Sequence, residues 1–148
     1  MTGRSTEDSM GRERIRTHKD LRVWQDAVDV AMVIFDLTKR FPAEERFSLV
    51  DQIRRSSRSV AANLSEAWRR RRYEAAFVAK LNDCETEATE TQTWLEFSRR
   101  CGYLSAEQAD ELDERYEKII AQLVKMITNP KAWILSRPGD KPKRRSSD

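Results

Sequence analysis

The chain has 148 residues and a formal net charge of +3, and 36% of its residues are charged. That length suits one domain with one sizeable core and leaves little for a second, and four glycines with four prolines are too few for a turn-rich β-protein, so the profile reads as helical. No run of about 18 apolar residues is present to span a membrane, and the opening MTGRSTEDSMGRERIRTHKD lacks the apolar centre of a secretion signal, so a cytoplasmic location is expected.

In chain order, residues 1–17 are polar and are expected to be a disordered arm. Asp20 is expected to cap a first helix running from Leu21 to about Arg40. Two apolar stripes run along it. Leu21, Trp24, Val28, Ala31, Phe35 and Thr38 form one, and Val23, Ala27, Val30, Ile34, Leu37 and Phe41 the other. That exceeds the single stripe of a surface helix, so this helix should touch more than one neighbour. Pro42 ends it or opens a short turn, because proline cannot continue the hydrogen-bond ladder.

Ser48 and Asp51 approximate a capping box for a second helix. Leu49, Ile53, Ser57, Val60, Leu64 and Ala67 lie along its buried side, and the small residues Ser56, Ser57, Ala61 and Ala62 allow close helix–helix approach. A third segment carries Phe77, Leu81, Cys84, Ala88, Thr91, Leu95 and Ser98 at steps of four and three. Gly102 is placed to end it in a left-handed cap, with Arg99 and Arg100 favourable at its negative end. Ser105 and Gln108 fit a capping box for the fourth helix, whose line is Leu112, Tyr116, Ile119, Leu123 and Met126 and which Asn129-Pro130 closes.

Four amphipathic segments with short connections make an all-α, antiparallel up-down four-helix bundle over residues 18–129 the economical architecture. Residues 130–148 form a basic tail expected to be mostly disordered, although Trp133, Ile134 and Leu135 are apolar enough to dock back on the bundle or enter a subunit contact.

Charge is unevenly distributed. Between Ile53 and Arg72 stand seven bases (Arg54, Arg55, Arg58, Arg69, Arg70, Arg71, Arg72) and one acid, Glu66. Between Tyr73 and Lys118 stand twelve acids and five bases. On an ideal helix Arg54, Arg58, Arg69 and Arg72 fall within about 60° of one another and roughly 130° from the apolar side. Arg71 falls on the apolar side, so the helix should bend or stop before it.

Three readings of the arginines stand. They form an ordinary solvated face, they grip the phosphates of RNA or DNA, or they pair with acids of the third and fourth helices in a neighbouring subunit. The planar guanidinium fork suits phosphate in a way lysine does not. Like charges one turn apart, such as Arg54 and Arg58, call for some compensating partner. The KPKRR run of the tail adds weak, non-specific affinity for polyanions.

Catalytic chemistry is sparse. Cys84 and Cys101 on one helix stand about 25 Å apart, beyond disulfide reach, and neither has a histidine partner. His18, the single histidine, is expected to be solvated at the edge of the arm. No Cys/His zinc spacing, glycine-rich phosphate loop or Glu-x-x-His di-metal motif occurs, and Glu87 with Glu90 sits beside Asp83 and Glu85 in what reads as an acidic surface. No enzyme activity, metal or cofactor is expected.

The spaced combination Asp20-Leu21 with Val23-Trp24-Gln25, Phe41-Pro42 with Glu45, Gln52-Ile53-Arg54-Arg55, Ser59-Val60 with Asn63, Glu66, and Gly102-Tyr103-Leu104 resembles a known family. Its members are small four-helix-bundle proteins encoded by intervening sequences of bacterial large-subunit ribosomal RNA genes, and the likeness covers roughly Asp20 to Ile127. The resemblance implies a left-handed bundle assembled as a homopentamer. Distant relatives are accessory proteins of diversity-generating retroelements that bind nucleic acid and a reverse transcriptase. Arg54 and Arg55 match the family's basic pair, and Asn63 and Glu66 its polar positions.

The family usually has glycine after that glutamate. Here Ala67-Trp68-Arg69-Arg70-Arg71-Arg72 follows, so the junction of helices two and three should differ or run closer to continuous. The functional expectation is a non-enzymatic oligomeric bundle that contacts nucleic acid through Arg54, Arg55, Arg58, Arg69, Arg70 and Arg72, as accessory to a reverse transcriptase or to a ribosomal RNA element. The alternative is a protein-interaction scaffold whose arginines form intersubunit salt bridges, and an exposed Trp24 or Trp68 would favour it.

Overall fold

The computed structural model describes residues 15–135. Four α-helices make up the fold: α1 (Arg22–Thr38), α2 (Leu49–Arg69), α3 (Glu74–Arg100) and α4 (Ala106–Thr128), with single 3-10 turns at His18–Asp20, Ala43–Glu45 and Pro130–Ala132. Each helix packs on its neighbours in sequence, α1 closes the ring against α4, and α2 with α3 forms the most extensive pair. The short connections force this alternation of direction, as in an up-down bundle. Among the described residues no helix is long and apolar enough to cross a membrane.

The core follows the apolar periodicities closely. Every residue of the α3 line, from Phe77 to Ser98, is buried, as is the α4 line from Leu112 to Met126. In α1 the Val23, Ala27, Val30, Ile34 stripe faces the interior, while Trp24, Val28 and Phe35 of the other stripe are half-buried. Met32 and Val33 remain exposed on its outer face.

The α2–α3 seam is closed by small side chains. Ser56 and Thr91 are buried, and the Thr91 hydroxyl approaches Ser56 Oγ at 2.8 Å and the Glu87 carbonyl at 2.9 Å. Tyr116 of α4 reaches the same layer, fully buried, its phenol oxygen close to Thr91 but without a hydrogen bond of good geometry among the described residues. Burial holds that phenol well above its ordinary pKa, hence neutral. An unbonded buried hydroxyl costs about 1–3 kcal/mol of desolvation without return. Tyr116→Phe is therefore expected to leave stability unchanged or raise it by about 1 kcal/mol. A urea midpoint that falls on this change would mean that the phenol is bonded.

Helix ends show which local signals are honoured. The Ser105–Gln108 capping box forms in both directions, at 3.0 Å each way. Gly102 adopts φ 77°, with Gly102 N–H donating to the Arg99 carbonyl at 3.0 Å and Tyr103 N–H to the Ser98 carbonyl at 2.9 Å. That is the paired-bond geometry of a left-handed helix cap.

Two expected caps do not form. Asp20 is not the cap of α1. Its carboxylate accepts from the backbone N–H groups of Arg16 and Thr17 at 2.9 and 3.1 Å, closing the preceding 3-10 turn, and it is held below its ordinary pKa by those bonds. Leu21 precedes α1 without a side-chain cap, and Ser48 precedes α2 in the same way.

At the other junction, α2 stops at Arg69 and α3 begins at Glu74, so the two helices are not continuous. The break precedes Arg71, whose place on an extended α2 would have been the apolar side. Trp133 and Ile134 pack against the core, and Leu135 N–H donates to the Arg71 carbonyl at 2.9 Å. The chain thus returns to the α2–α3 turn before residue 136. Ile15 also rests on the core. The expected disordered segments fall largely on residues 1–14 and 136–148, outside the described residues. Cys84 is buried, its thiol pushed up to about 12 by desolvation, while Cys101 is exposed.

Candidate nucleic-acid interface

The two arginines of α3 are neutralised within their own helix. Arg99 and Arg100 both bind Glu96, one turn away, and hold its carboxyl at about 2. The arginines of α2 and the following turn behave differently. Among the described residues, no carboxylate lies within ion-pair distance of Arg54, Arg55, Arg58, Arg69, Arg70, Arg71 or Arg72. Glu66, the one acid in the stretch, is taken by Lys80 at 2.7 Å.

Rather than one stripe, the arginines form two groups. The first lies over α1. Arg54 turns inward, its Nε donating to Thr38 Oγ1 at 2.8 Å and a terminal nitrogen to the Phe35 carbonyl at 3.4 Å. These are groups of the last turn of α1, where a cation is favoured by the helix dipole and the open carbonyls. The Phe35 ring then collects three cations, with Lys39 at 4.6 Å, Arg54 at 4.7 Å and Arg58 at 5.7 Å from its centroid. Aromatic quadrupoles attract such charges by about 0.5–2 kcal/mol each, which offsets their mutual repulsion. Arg58 and Arg55 are exposed. Burial and then Glu90 hold the Glu87 carboxyl above its ordinary pKa; Arg55 opposes that shift but forms no ion pair with it.

The second group sits at the other end of α2. Arg69 is the last helical residue, and Arg70 and Arg72 lie in the turn that follows, so Arg72 leaves the helical stripe on which its spacing had placed it. All three are exposed. Arg71 does not join them. Its guanidinium stacks 3.4 Å from the centroid of Trp68 and its Nε donates to the Trp68 carbonyl at 2.9 Å. Partial burial lowers its pKa, and Arg69 beside it adds to the effect. Arg69 and Arg70 line an open cleft of about 380 Å³ together with His18, Ser65 and Glu66.

A family model for 23S rRNA-intervening sequence proteins matches residues 19–125, which span all of α1, α2 and α3 and most of α4. The chain belongs to that family. A solved crystal structure of an S23 ribosomal protein family member of unknown function, from Bacteroides thetaiotaomicron VPI-5482, is similar to it. The two share 33% sequence identity with a TM-score of 0.65, over 72% of this chain and 95% of the other. No curated protein matches it.

In this member of the family, several site features have no clear sequence signal. Lys39 and Phe35 join Arg54 and Arg58 only through the α1–α2 contact, although Phe35 and Lys39 are one turn apart on α1. His18 is half-buried rather than solvated, because its ring meets Trp24 edge-on at 5.3 Å and 71°. Trp24 is half-buried with its indole N–H donated to Ser65 Oγ at 3.0 Å, and Trp68 is buried beneath Arg71. Neither tryptophan offers the exposed anchor expected of a protein-docking face.

Proposed function

We propose that this protein is a non-enzymatic helical bundle that binds nucleic acid, acting as a homo-oligomer and serving as accessory to a reverse transcriptase or to a ribosomal RNA element. The observation that carries the reading is the set of exposed arginines, Arg55, Arg58, Arg69, Arg70 and Arg72, left without ion-pair partners among the described residues. Lys39, Arg100 and Lys118 find acids one turn away, whereas Arg22, Arg40 and Arg46 are exposed without an ion pair among the described residues, so the α2 arginines stand out by their clustering rather than by being unpaired. Two clusters of unneutralised guanidinium groups, one at each end of α2, suit a phosphate backbone, which contributes charge without sequence information. Arg54 supports the surface from behind, since its donors are engaged at the end of α1. The family's name refers to 23S rRNA-intervening sequences, so RNA is the first polyanion to try.

The test is fluorescence anisotropy with a labelled RNA at two ionic strengths. With about five phosphate contacts, one for each exposed arginine, affinity should fall by about two to three orders of magnitude between roughly 50 and 200 mM salt. Absence of binding at the lower salt overturns the proposal.

A second reading has its own support. Glu87 and Asp113 are both held above their ordinary pKa, first by burial and then by neighbouring acids, Glu90 and Glu117 respectively. The α3–α4 surface is thus a negative field that complements α2 of another copy. On that reading the arginines make subunit contacts, and light scattering would record dissociation as salt rises. A mass that persists in high salt would speak against it.

A further inference from the structure

The cleft at the end of α2 holds more than phosphate-binding groups. The turn that carries His18 is fixed from several sides, and the ring has one aromatic contact among the described residues. Thr17 and Asp20 close a reciprocal capping box around its turn. The Gln25 side chain donates to the Lys19 carbonyl at 2.9 Å, tying the turn to α1. The His18 ring rests against Trp24. Ser65 contributes no free donor, because its hydroxyl gives its hydrogen to the Ala61 carbonyl at 3.1 Å and accepts from Trp24. Its role is to hold Trp24, and through it His18. A ring held this way loses little entropy when a ligand packs on it.

Across the cleft, Arg69 and Arg70 supply two guanidinium groups, and Glu66 supplies a carboxylate. Lys80 takes Glu66 Oε2 at 2.7 Å and Asp83 lies 3.8 Å from the same ammonium. Glu66 is held below its ordinary pKa by that pairing, with Arg70 contributing, so it stays ionised. A bare phosphate site gains nothing from a carboxylate at its edge. A nucleotide does, because its base presents N–H donors some distance from its phosphate. Stacking on histidine and hydrogen bonding at the Watson–Crick edge are how proteins read bases that are free of a duplex. The cleft is shallow and open, with about 380 Å³ of space, so a nucleotide would lie on it with one side in solvent.

We propose that this cleft is a subsite for one unpaired nucleotide of the bound strand, with the phosphate on Arg69 and Arg70, the base against His18, and the carboxylate of Glu66 accepting from the base edge. Guanine fits best, since its adjacent N1–H and N2 amino groups match a carboxylate, of which Oε2 already accepts from Lys80 and keeps a second lone pair. The inference rests on the nucleic-acid reading above and adds a preference for single strands carrying guanine.

Anisotropy titrations with three short RNAs test it: an all-uracil strand, the same strand with one guanine, and a duplex of equal length. The guanine strand should bind about tenfold more tightly than the uracil strand, in line with about 1–3 kcal/mol for a well-placed base contact. Glu66→Gln should erase that preference. His18→Ala should weaken both single strands about tenfold, the loss of one stacked base, and leave the duplex unchanged. Equal losses on duplex and single strands, or no guanine preference in the unmodified protein, overturn the inference while leaving phosphate binding intact. Failure of the unmodified protein to bind any of the three overturns both. Circular dichroism of each variant against the unmodified protein separates loss of contact from loss of fold.

Discussion

Trp68→Ala is expected to lower the unfolding free energy by about 3–5 kcal/mol, the largest effect of any single change near the arginines. Trp68 is only 7% exposed, so truncation removes a large buried surface and leaves a cavity that a helix end fills poorly. Two further contacts go with it. The Arg71 guanidinium loses the ring beneath it, and a stacked cation contributes about 0.5–2 kcal/mol. Arg71 also carries the backbone carbonyl that receives Leu135, so the return of the chain to the α2–α3 turn loses its anchor. The measurement is a urea titration followed by helical circular dichroism, with Arg71→Ala as the companion. That companion should cost about 1–2 kcal/mol, since it removes the cation but keeps the ring. A Trp68→Ala loss below about 1 kcal/mol, the size of an ordinary surface change, would mean that the turn is held by something else.

This junction also shows where sequence reasoning reaches its limit. That Arg71 would fall on the apolar side was visible from periodicity, and so was the need for α2 to stop before it. What Arg71 does instead, stacking on a tryptophan three positions back and receiving the chain from residue 135, depends on tertiary contacts that no local pattern encodes. The same division runs through the molecule. The α3 and α4 lines were legible because steps of three and four are a one-dimensional record of one buried face. Gly102 and Ser105 were legible because their caps are made within six residues.

Asp20 and Ser48 misled because a residue suited to capping does not say which helix end it serves. Asp20 found a nearer turn with two free N–H groups. Arg54 could not be told from Arg58 by spacing, since both sit on one side of α2. Only the end of α1, arriving beside Arg54 with the Thr38 hydroxyl and the Phe35 carbonyl, makes one of them a structural residue and leaves the other exposed. His18 looked like part of a solvated arm because its partner Trp24 lies beyond the turn that folds it back.

The separation between committed and free arginines carries the second large prediction. Arg54 and Arg71 are bound within the fold, and Arg55, Arg58, Arg69, Arg70 and Arg72 are exposed. Replacing those five by alanine should remove about five phosphate contacts. Each contact contributes about 0.9 to the slope of log affinity against log salt for a duplex and about 0.7 for a single strand. The slope should therefore become shallower by about 3.5–4.5, and binding near physiological salt should be lost. Stability should change little, because none of the five has an ion pair to lose, and loss of the Arg58 contact with the Phe35 ring is set against relief of like-charge repulsion along α2. Arg54→Ala should show the opposite pattern. It leaves the Thr38 hydroxyl and the Phe35 carbonyl without their charged donor, which costs about 1–3 kcal/mol of stability, while the salt slope moves by less than one contact. The pair of measurements, salt slope and urea midpoint on the same proteins, distinguishes a phosphate-binding face from a structural one. If the five-alanine protein keeps its slope, the polyanion surface lies elsewhere. If it instead loses its assembled mass, the arginines belong between subunits.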